Sequence, residues 1–496
     1  MKKYHQILKY GFTFLFLTLY SCGDFLNEYS QNLSYVRTVD DLKEILIGNA
    51  YMPDRLGSPK HGYFLMMWLD VMDDDIDTHA NGISTSCMHD FMKGFHYWQQ
   101  YPYDDKRRKF YGGNTSWAQF YEHIGAVNII IEKAEEFKTE SPEGYRQVKG
   151  EAHFLRAFYY FYLVNIWAKH YEPNTADRDP GIPVKLTSYA EGKGFKRNSV
   201  AECYAQIIKD LEIAAESLKG LNTASKRRAT ELAVRIFLSR VYLYMEEYES
   251  ALEQCEKALA IPTSLGIVDM NTTKREDFVK QIVSAESREC VFANGVVPQA
   301  MMQKGGNREF YIVSGNLLEK YDTKNDLRFK YFFLQYKGHY LSEKCIGFRN
   351  TPATSIFYKE IYLNKAEALC ATGKLPEALE CLNELRKKRM KKFDTPAMDE
   401  KELINLIREE RRKEMCFEGQ RWFDLKRYAI SRTYPEKKKI RHAYWEQTGN
   451  KVRIAGEYEL GEYPEDGGWI LSFPKYALIS NKGALIDNDR PERNYK

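Results

Sequence analysis

Two short stretches of this 496-residue chain gather side chains able to hold a small polar ligand. Leu69–Gly82 reads LDVMDDDIDTHANG, with Asp73, Asp74 and Asp75 in succession. Phe95–Asp105 reads FHYWQQYPYDD, with Tyr97, Trp98, Tyr101 and Tyr103 crowded around Pro102. Carboxylates accept hydrogen bonds from hydroxyl groups, and an aromatic plane packs on a flat apolar face. The mixture therefore suits a ring with C–H faces and hydroxyl edges, as sugars have. Residue type leads to the expectation that Trp98 stacks on such a ring while Asp73 or Asp74 hydrogen-bonds beside it. Trp68, Tyr97 and Tyr101 are further candidates, and Tyr311, next to Phe310, is a candidate for the opposite wall. Four rings around one proline cannot all face inward, which favours a surface. The competing arrangement is a tryptophan wedged against the protein's own scaffold.

Other chemistries fit less well. Asp73, Asp75 and Asp77 alternate as calcium-loop ligands would, but Thr78 stands where that loop needs glycine and Ser84 where it needs a bidentate glutamate; solvated or ligand-facing acids are expected instead. His79, Cys87 and His89 match no standard zinc spacing, so neither metal nor cofactor is expected. The chain has no H-E-x-x-H, G-x-S-x-G or phosphate-binding glycine loop. Glu409, Arg411, Arg412 and Glu414 suit ion pairs at helical spacing, Gly419 can end that helix, and Arg421 and Asp424 can cap or bridge the turn beyond. The run Arg386–Lys392 (RKKRMKK) reads as a cationic helix C-terminus facing the dipole, not a nucleic-acid patch. A binding protein without catalytic residues is the favoured reading. A surface glycosidase, which needs two opposed carboxylates, is the runner-up, and a peptide-binding or interaction scaffold is a third.

Helices must position these stretches, because helical periodicity dominates the rest. In Arg197–Gly220, Ser199 and Glu202 form a capping box and Gly220 can take the left-handed stop position. Val200, Tyr204, Ile207, Ile208, Leu211, Ala215 and Leu218 make the apolar stripe, leaving Lys209, Asp210 and Glu212 outward. Leu238–Pro262 and Leu363–Arg386 share one helix-turn-helix pattern. In it Ser239 matches Ala366, Tyr248 matches Leu375, Ala251 matches Ala378 and Cys255 matches Leu382, a spacing that resembles tetratricopeptide repeats. Each pair must stack on other helices. The helix Gly150–Trp167, with Phe154, Phe158, Tyr159, Tyr160, Phe161 and Tyr162, is a natural partner and reads as packing rather than as a ligand platform. The expected fold is mostly α, a scaffold of such pairs over about 115–260 and 355–427. Loop-rich segments at about 51–113 and 260–354 are where ligand contacts belong, and 431–496 reads as loops and short strands.

The ends and totals narrow the class. Met1–Tyr10 carries three lysines, and Gly11–Tyr20 is an apolar run of about 10 residues, half of the roughly 20 that a spanning helix needs. This reads as a secretory signal over residues 1–21. Leu19-Tyr20-Ser21-Cys22 resembles a bacterial lipobox, with Cys22 the lipid attachment and first residue of the mature 22–496. Without the leader, 70 basic residues face 69 acidic ones, since the 73 Lys and Arg lose three, so no global field draws nucleic acid. The other eight cysteines include no C-x-x-C and read as small core residues.

Several motifs in order carry a family resemblance. They are Cys22–Leu26; Gly150-Glu151-Ala152-His153-Phe154-Leu155-Arg156-Ala157; Asp179-Pro180-Gly181-Ile182-Pro183-Val184; Arg197-Asn198-Ser199-Val200; and Ile361–Ala368. Glu409–Glu414 then leads to Phe417-Glu418-Gly419-Gln420-Arg421-Trp422-Phe423-Asp424-Leu425-Lys426-Arg427, and Phe473-Pro474 closes the order. Together they resemble the SusD/RagB family of outer-membrane nutrient-binding lipoproteins, from the signal almost to the C-terminus. The chain differs from the family pattern at Trp167–His170 and around Ile486–Asp489. The resemblance implies a lipid-anchored surface protein with four tetratricopeptide-like helix pairs. It also implies a SusC-like TonB-dependent transporter as partner, on which the helix-pair face packs, while loops elsewhere hold glycan or peptide.

Overall fold

The computed structural model describes residues 36–52, 66, 68–80, 87–103, 115–189, 191–192, 194–221, 223, 225–274, 277, 284–295, 310–344, 354–449 and 451–496; the leader and Cys22 lie outside the described residues. The helices are α1 (Val39–Ile45), α2 (Cys87–His96), α3 (Thr115–Ala134), α4 (Pro142–Trp167), α5 (Val200–Leu218), α6 (Glu231–Tyr244) and α7 (Tyr248–Leu259). There follow α8 (Gly315–Leu318), α9 (Leu327–Phe332), α10 (Lys359–Ala371), α11 (Leu375–Arg386), α12 (Glu400–Met415), α13 (Arg421–Ala429) and α14 (Lys475–Ser480). The described strands pair two by two and antiparallel. They are β1 (Ile76–Thr78) with β3 (Tyr311–Val313), β2 (Cys290–Asn294) with β6 (Thr354–Phe357), β4 (Phe333–Tyr336) with β5 (His339–Ser342), and β7 (Ile440–Thr448) with β8 (Lys451–Leu460).

Helix α4 is the axis of the frame. Every residue from Gly150 to Trp167 is buried, because α3 and α5 flank the helix and Phe237 of α6 packs 5.0 Å from Phe158 and 5.1 Å from Phe161. The aromatic run is core, as its spacing indicates, but the polar spacers are not solvated. Arg228 pairs with Glu151, and Asp210 accepts two hydrogen bonds from Arg156 at 2.7 and 2.8 Å. Asp210 is thus a correction to the outward face expected of its helix. Burial raises the cost of its charge, and the Arg156 fork and His153, whose Nδ1 lies 2.7 Å away, repay it. The capping box of α5 forms, with Glu202 N–H donating to Ser199 Oγ at 3.1 Å, and Gly220 sits at φ +71°.

The two repeat-like pairs, far apart in sequence, stack directly on one another. Helix α7 of the pair α6/α7 lies on α10 of the pair α10/α11, with Leu243, Ala251 and Ala368 in one apolar cluster. Asn364 donates to Ser239 Oγ at 2.9 Å, and Arg240 forks onto Glu360 at 2.6 and 2.7 Å, all buried. Cys203, Cys255, Cys290, Cys370, Cys381 and Cys416 are buried free thiols, the core role expected of them. The C-terminal part is more ordered than loops and short strands. Strands β7 and β8 form a long two-stranded ribbon, and α14 follows it.

Candidate functional site

The residues quoted in the opening stretches do come together, but as a weld and not as a ligand surface. Asp74 accepts from Arg421 Nε at 2.7 Å and Nη2 at 3.0 Å and pairs with Arg412 at 3.0 Å and with Lys438. Asp75 pairs with Arg412 Nε at 2.7 Å, and Asp73 accepts the Asp75 backbone N–H at 2.9 Å. Burial alone would raise all three carboxyls. For Asp74 the Arg421 and Arg412 charges outweigh burial and hold it well below the usual range. Burial, and then the crowding of Asp75, Asp70 and Asp74, push the Asp73 carboxyl well above its ordinary value. With Arg412, Arg421 and Lys438 already facing Asp74 and Asp75, the cluster needs no cation to balance it, so the trio does not fit a calcium site.

The expected stacking platform is corrected in the same way. Trp98 is fully buried, donates Nε1–H to the Met72 carbonyl at 2.9 Å, and stacks on His442 at 4.5 Å. Its left-handed backbone (φ +49°) ends the turn after α2 and tucks the indole under the β7–β8 ribbon. Trp68 is buried against Phe95, 4.5 Å away and nearly parallel. Tyr97 is buried with its hydroxyl donating to Ala443 O at 3.3 Å, and Tyr311 is buried edge-on to His96. Asp73 and Asp74 are buried as described. Tyr101 alone among these candidates is exposed, at 38%, with the Lys475 ammonium 4.9 Å from its ring centre.

The charged motif near the C-terminus shares in the weld. Lys413 pairs at helical spacing with Glu410 and Glu409 of its own helix, at 2.5 and 3.7 Å, while other partners lie across the fold: Arg411 binds Asp424 at 3.0 Å, and Glu414 takes Arg389 and Arg328. Arg386 and Arg389 of the basic run turn inward to Glu410 and Glu289, so only part of that run faces solvent. Gly419, at φ +68°, donates its N–H to Asp70 at 2.9 Å. Lys426 Nζ donates to the Asn165 and Ala168 carbonyls at 2.8 and 3.1 Å, capping the end of α4.

What the weld holds in place is β1, and at the end of β1 a different surface assembles. Thr78 Oγ accepts Trp445 Nε1–H at 3.2 Å and donates to Ala443 O at 3.2 Å. The polar edge of the indole is thereby fixed inward and the half-buried ring is oriented. His79, anchored by its N–H to Phe310 O at 2.7 Å, lies 6.4 Å from Trp445 and 4.6 Å from His339. Tyr336 stands edge-on to His339 at 6.1 Å, and half-buried Asp77 sits one residue before Thr78. An indole, two imidazoles and a phenol thus converge from the end of β1, the β4–β5 hairpin and β7, the His339 imidazole itself being buried. They combine a stacking plane with hydrogen-bonding groups on a prearranged support. Trp445 was not among the sequence candidates; its signal was the run Ile440–Thr448 (IRHAYWEQT), aromatic and β-branched and followed by a Gly-Asn turn.

A frame of stacked helix pairs that displays an aromatic, hydrogen-bonding face on non-helical chain is the build of a ligand-capturing protein. The chain belongs to the SusD/RagB family. Residues 68–243 match a family model described as starch-binding and associating with the outer membrane, and residues 268–466 match the SusD family model. The SusD-like protein P38 of Formosa agariphila is 25% identical over 63% of this chain and 71% of its own length. The SusD-like protein P2 of the same organism is 24% identical over 87% and 91%. A crystal structure of a putative sugar-binding protein from Bacteroides vulgatus covers 92% of this chain and 99% of its own, with a TM-score of 0.70 at 22% identity, a likeness of fold. No helix among the described residues is long and apolar enough to cross a membrane.

Proposed function

We propose that this chain is an outer-membrane lipoprotein, anchored through Cys22 and facing the exterior, that binds oligosaccharide or polysaccharide and passes it unchanged to a SusC-like TonB-dependent transporter. The observation that supports capture is the half-buried Trp445 indole, oriented by Thr78, with the half-buried His79 and Tyr336 beside the His339 ring. The indole offers a plane to a pyranose C–H face, and the half-buried His79 imidazole and Tyr336 phenol carry groups that can exchange hydrogen bonds with its hydroxyls. Tyr101 is a peripheral contact at most, being distant in sequence from this face and already covered on one side by Lys475. Anchoring and transfer rest on the family resemblance and the lipobox-like Leu19–Cys22.

Calorimetric titration with a glycan panel tests this reading, together with a reducing-sugar assay on the same mixtures. Binding without release of reducing ends is the expected result. Release of reducing ends would make the chain a glycosidase, and recovery of a large β-barrel protein by pull-down with no glycan retained would make it a scaffold. Either outcome overturns the proposal.

A further inference from the structure

We propose that the β7–β8 ribbon carries a second carbohydrate-contacting surface, a tyrosine tray on the face opposite Trp445, formed by Tyr444, Tyr458 and Tyr495. The inference rests on the carbohydrate reading above but on different residues. Successive side chains of a strand point to opposite faces, so Tyr444 and Trp445 diverge. The register sets Tyr444 across from Gly456, His442 from Tyr458 and Glu446 from Arg453, with a bulge between the Tyr444 and Trp445 pairs. Tyr444, Tyr458, Glu446 and Arg453 therefore share one face.

Gly456 leaves a gap in that face, and the chain fills it from elsewhere. Glu457 and Lys496 exchange backbone hydrogen bonds of 3.0 Å, which lays the last residues along the edge of β8. Tyr495 then stacks on Tyr444 at 4.5 Å and 24°, and meets Tyr458 edge-on at 5.8 Å. A Cβ at position 456 would lie 2.4 Å from Lys496 O and 2.7 Å from Tyr495 Cδ2, so only glycine admits this arrangement. Tyr97 forms the floor, stacked 4.6 Å from Tyr458 and edge-on to Tyr444 at 5.6 Å.

The tray is not closed as a core would be. Tyr495 is 43% exposed, Tyr444 and Tyr458 are half-buried, and only the Tyr97 floor is sealed. Its rim is polar: the Glu446–Arg453 pair, 3.3 Å apart, has side chains 41% and 72% exposed. Ring planes bordered by phenol, carboxylate and guanidinium groups match a pyranose, with C–H faces and a girdle of hydroxyls, better than an apolar partner. Two sugar-contacting faces on one ribbon can engage two segments of a long glycan and raise its avidity without strengthening either contact.

Calorimetry with maltoheptaose and affinity electrophoresis in gels containing amylopectin, xylan, laminarin or alginate test the tray. Tyr495→Ala leaves the folded frame intact because the residue is exposed and lies outside the helices and strands. Gly456→Ala reaches the same end by displacing Tyr495 while keeping every tyrosine. For a polysaccharide that retards the wild type, both variants are expected to weaken retention roughly tenfold, and Trp445→Ala with Tyr495→Ala to abolish it. If both tray variants match the wild type while Trp445→Ala abolishes retention, the tray is overturned and the Trp445 face stands. If the wild type binds no member of the panel, the tray and the carbohydrate reading fall together.

Discussion

At the scale of single residues, burial decides which aromatic groups meet ligand. Trp98 and Trp445 are both tryptophans among acids and imidazoles, yet one is sealed under the ribbon and the other is held by its indole N–H with its ring half-buried. Trp445→Ala should weaken glycan binding by tenfold to a hundredfold, about 1.4–2.8 kcal/mol, in calorimetry, with little change in melting temperature. Trp98→Ala should instead cost about 3–5 kcal/mol of stability in denaturant unfolding. The acid residues behave likewise. Burial would raise Glu410, but Arg328, 2.7 Å away, and Lys413 outweigh it and lower its carboxyl to about 2. A carboxyl held below its unfolded value stabilises the fold fully above about pH 4.5, and that contribution disappears as pH falls towards 2. Glu410→Gln should therefore destabilise the protein by about 3–5 kcal/mol at pH 7, and its deficit against the wild type should shrink as unfolding is followed from pH 4.5 down to 2. Composition could name the acids and rings of residues 68–103, but it could not tell a solvated carboxylate from one meeting Arg412 and Arg421, whose partners lie more than 300 positions away in the chain.

At the scale of elements, the helix pairs were legible and the ribbon only faintly so. Matched small residues such as Ser239 and Ala366 mark close helix contacts through local spacing, which a sequence displays directly. Strands β7 and β8 are partly covered on both faces, so their apolar and polar residues do not alternate cleanly, and the stretch reads as loop with short strands. The stacking of α6/α7 on α10/α11 was hidden too, because it depends on Arg240 meeting Glu360, two charges with no solvent access. Glu360→Ala, which strands the guanidinium, should cost about 3–5 kcal/mol. The double change Arg240→Met with Glu360→Leu should recover most of that loss, since removing both buried charges also removes their desolvation cost. Unfolding of the two single variants and the double variant gives the coupling directly.

At the scale of the whole molecule, the division of labour follows from chemistry. Apolar helices and buried ion pairs make the frame. Strands and irregular chain anchored to that frame present the mixed aromatic and polar face. Charge near neutrality leaves recognition to shape, stacking and hydrogen bonds rather than to a long-range field, so binding should change little between low and moderate salt. The most direct measurement of the central claim is calorimetric titration of the wild type and Trp445→Ala with a glycan panel, followed by chemical analysis of the recovered glycan. A glycan that the wild type binds at least tenfold more tightly than the variant, and that returns intact, is the predicted result. Equal affinity for both proteins, or a shortened glycan, would contradict it.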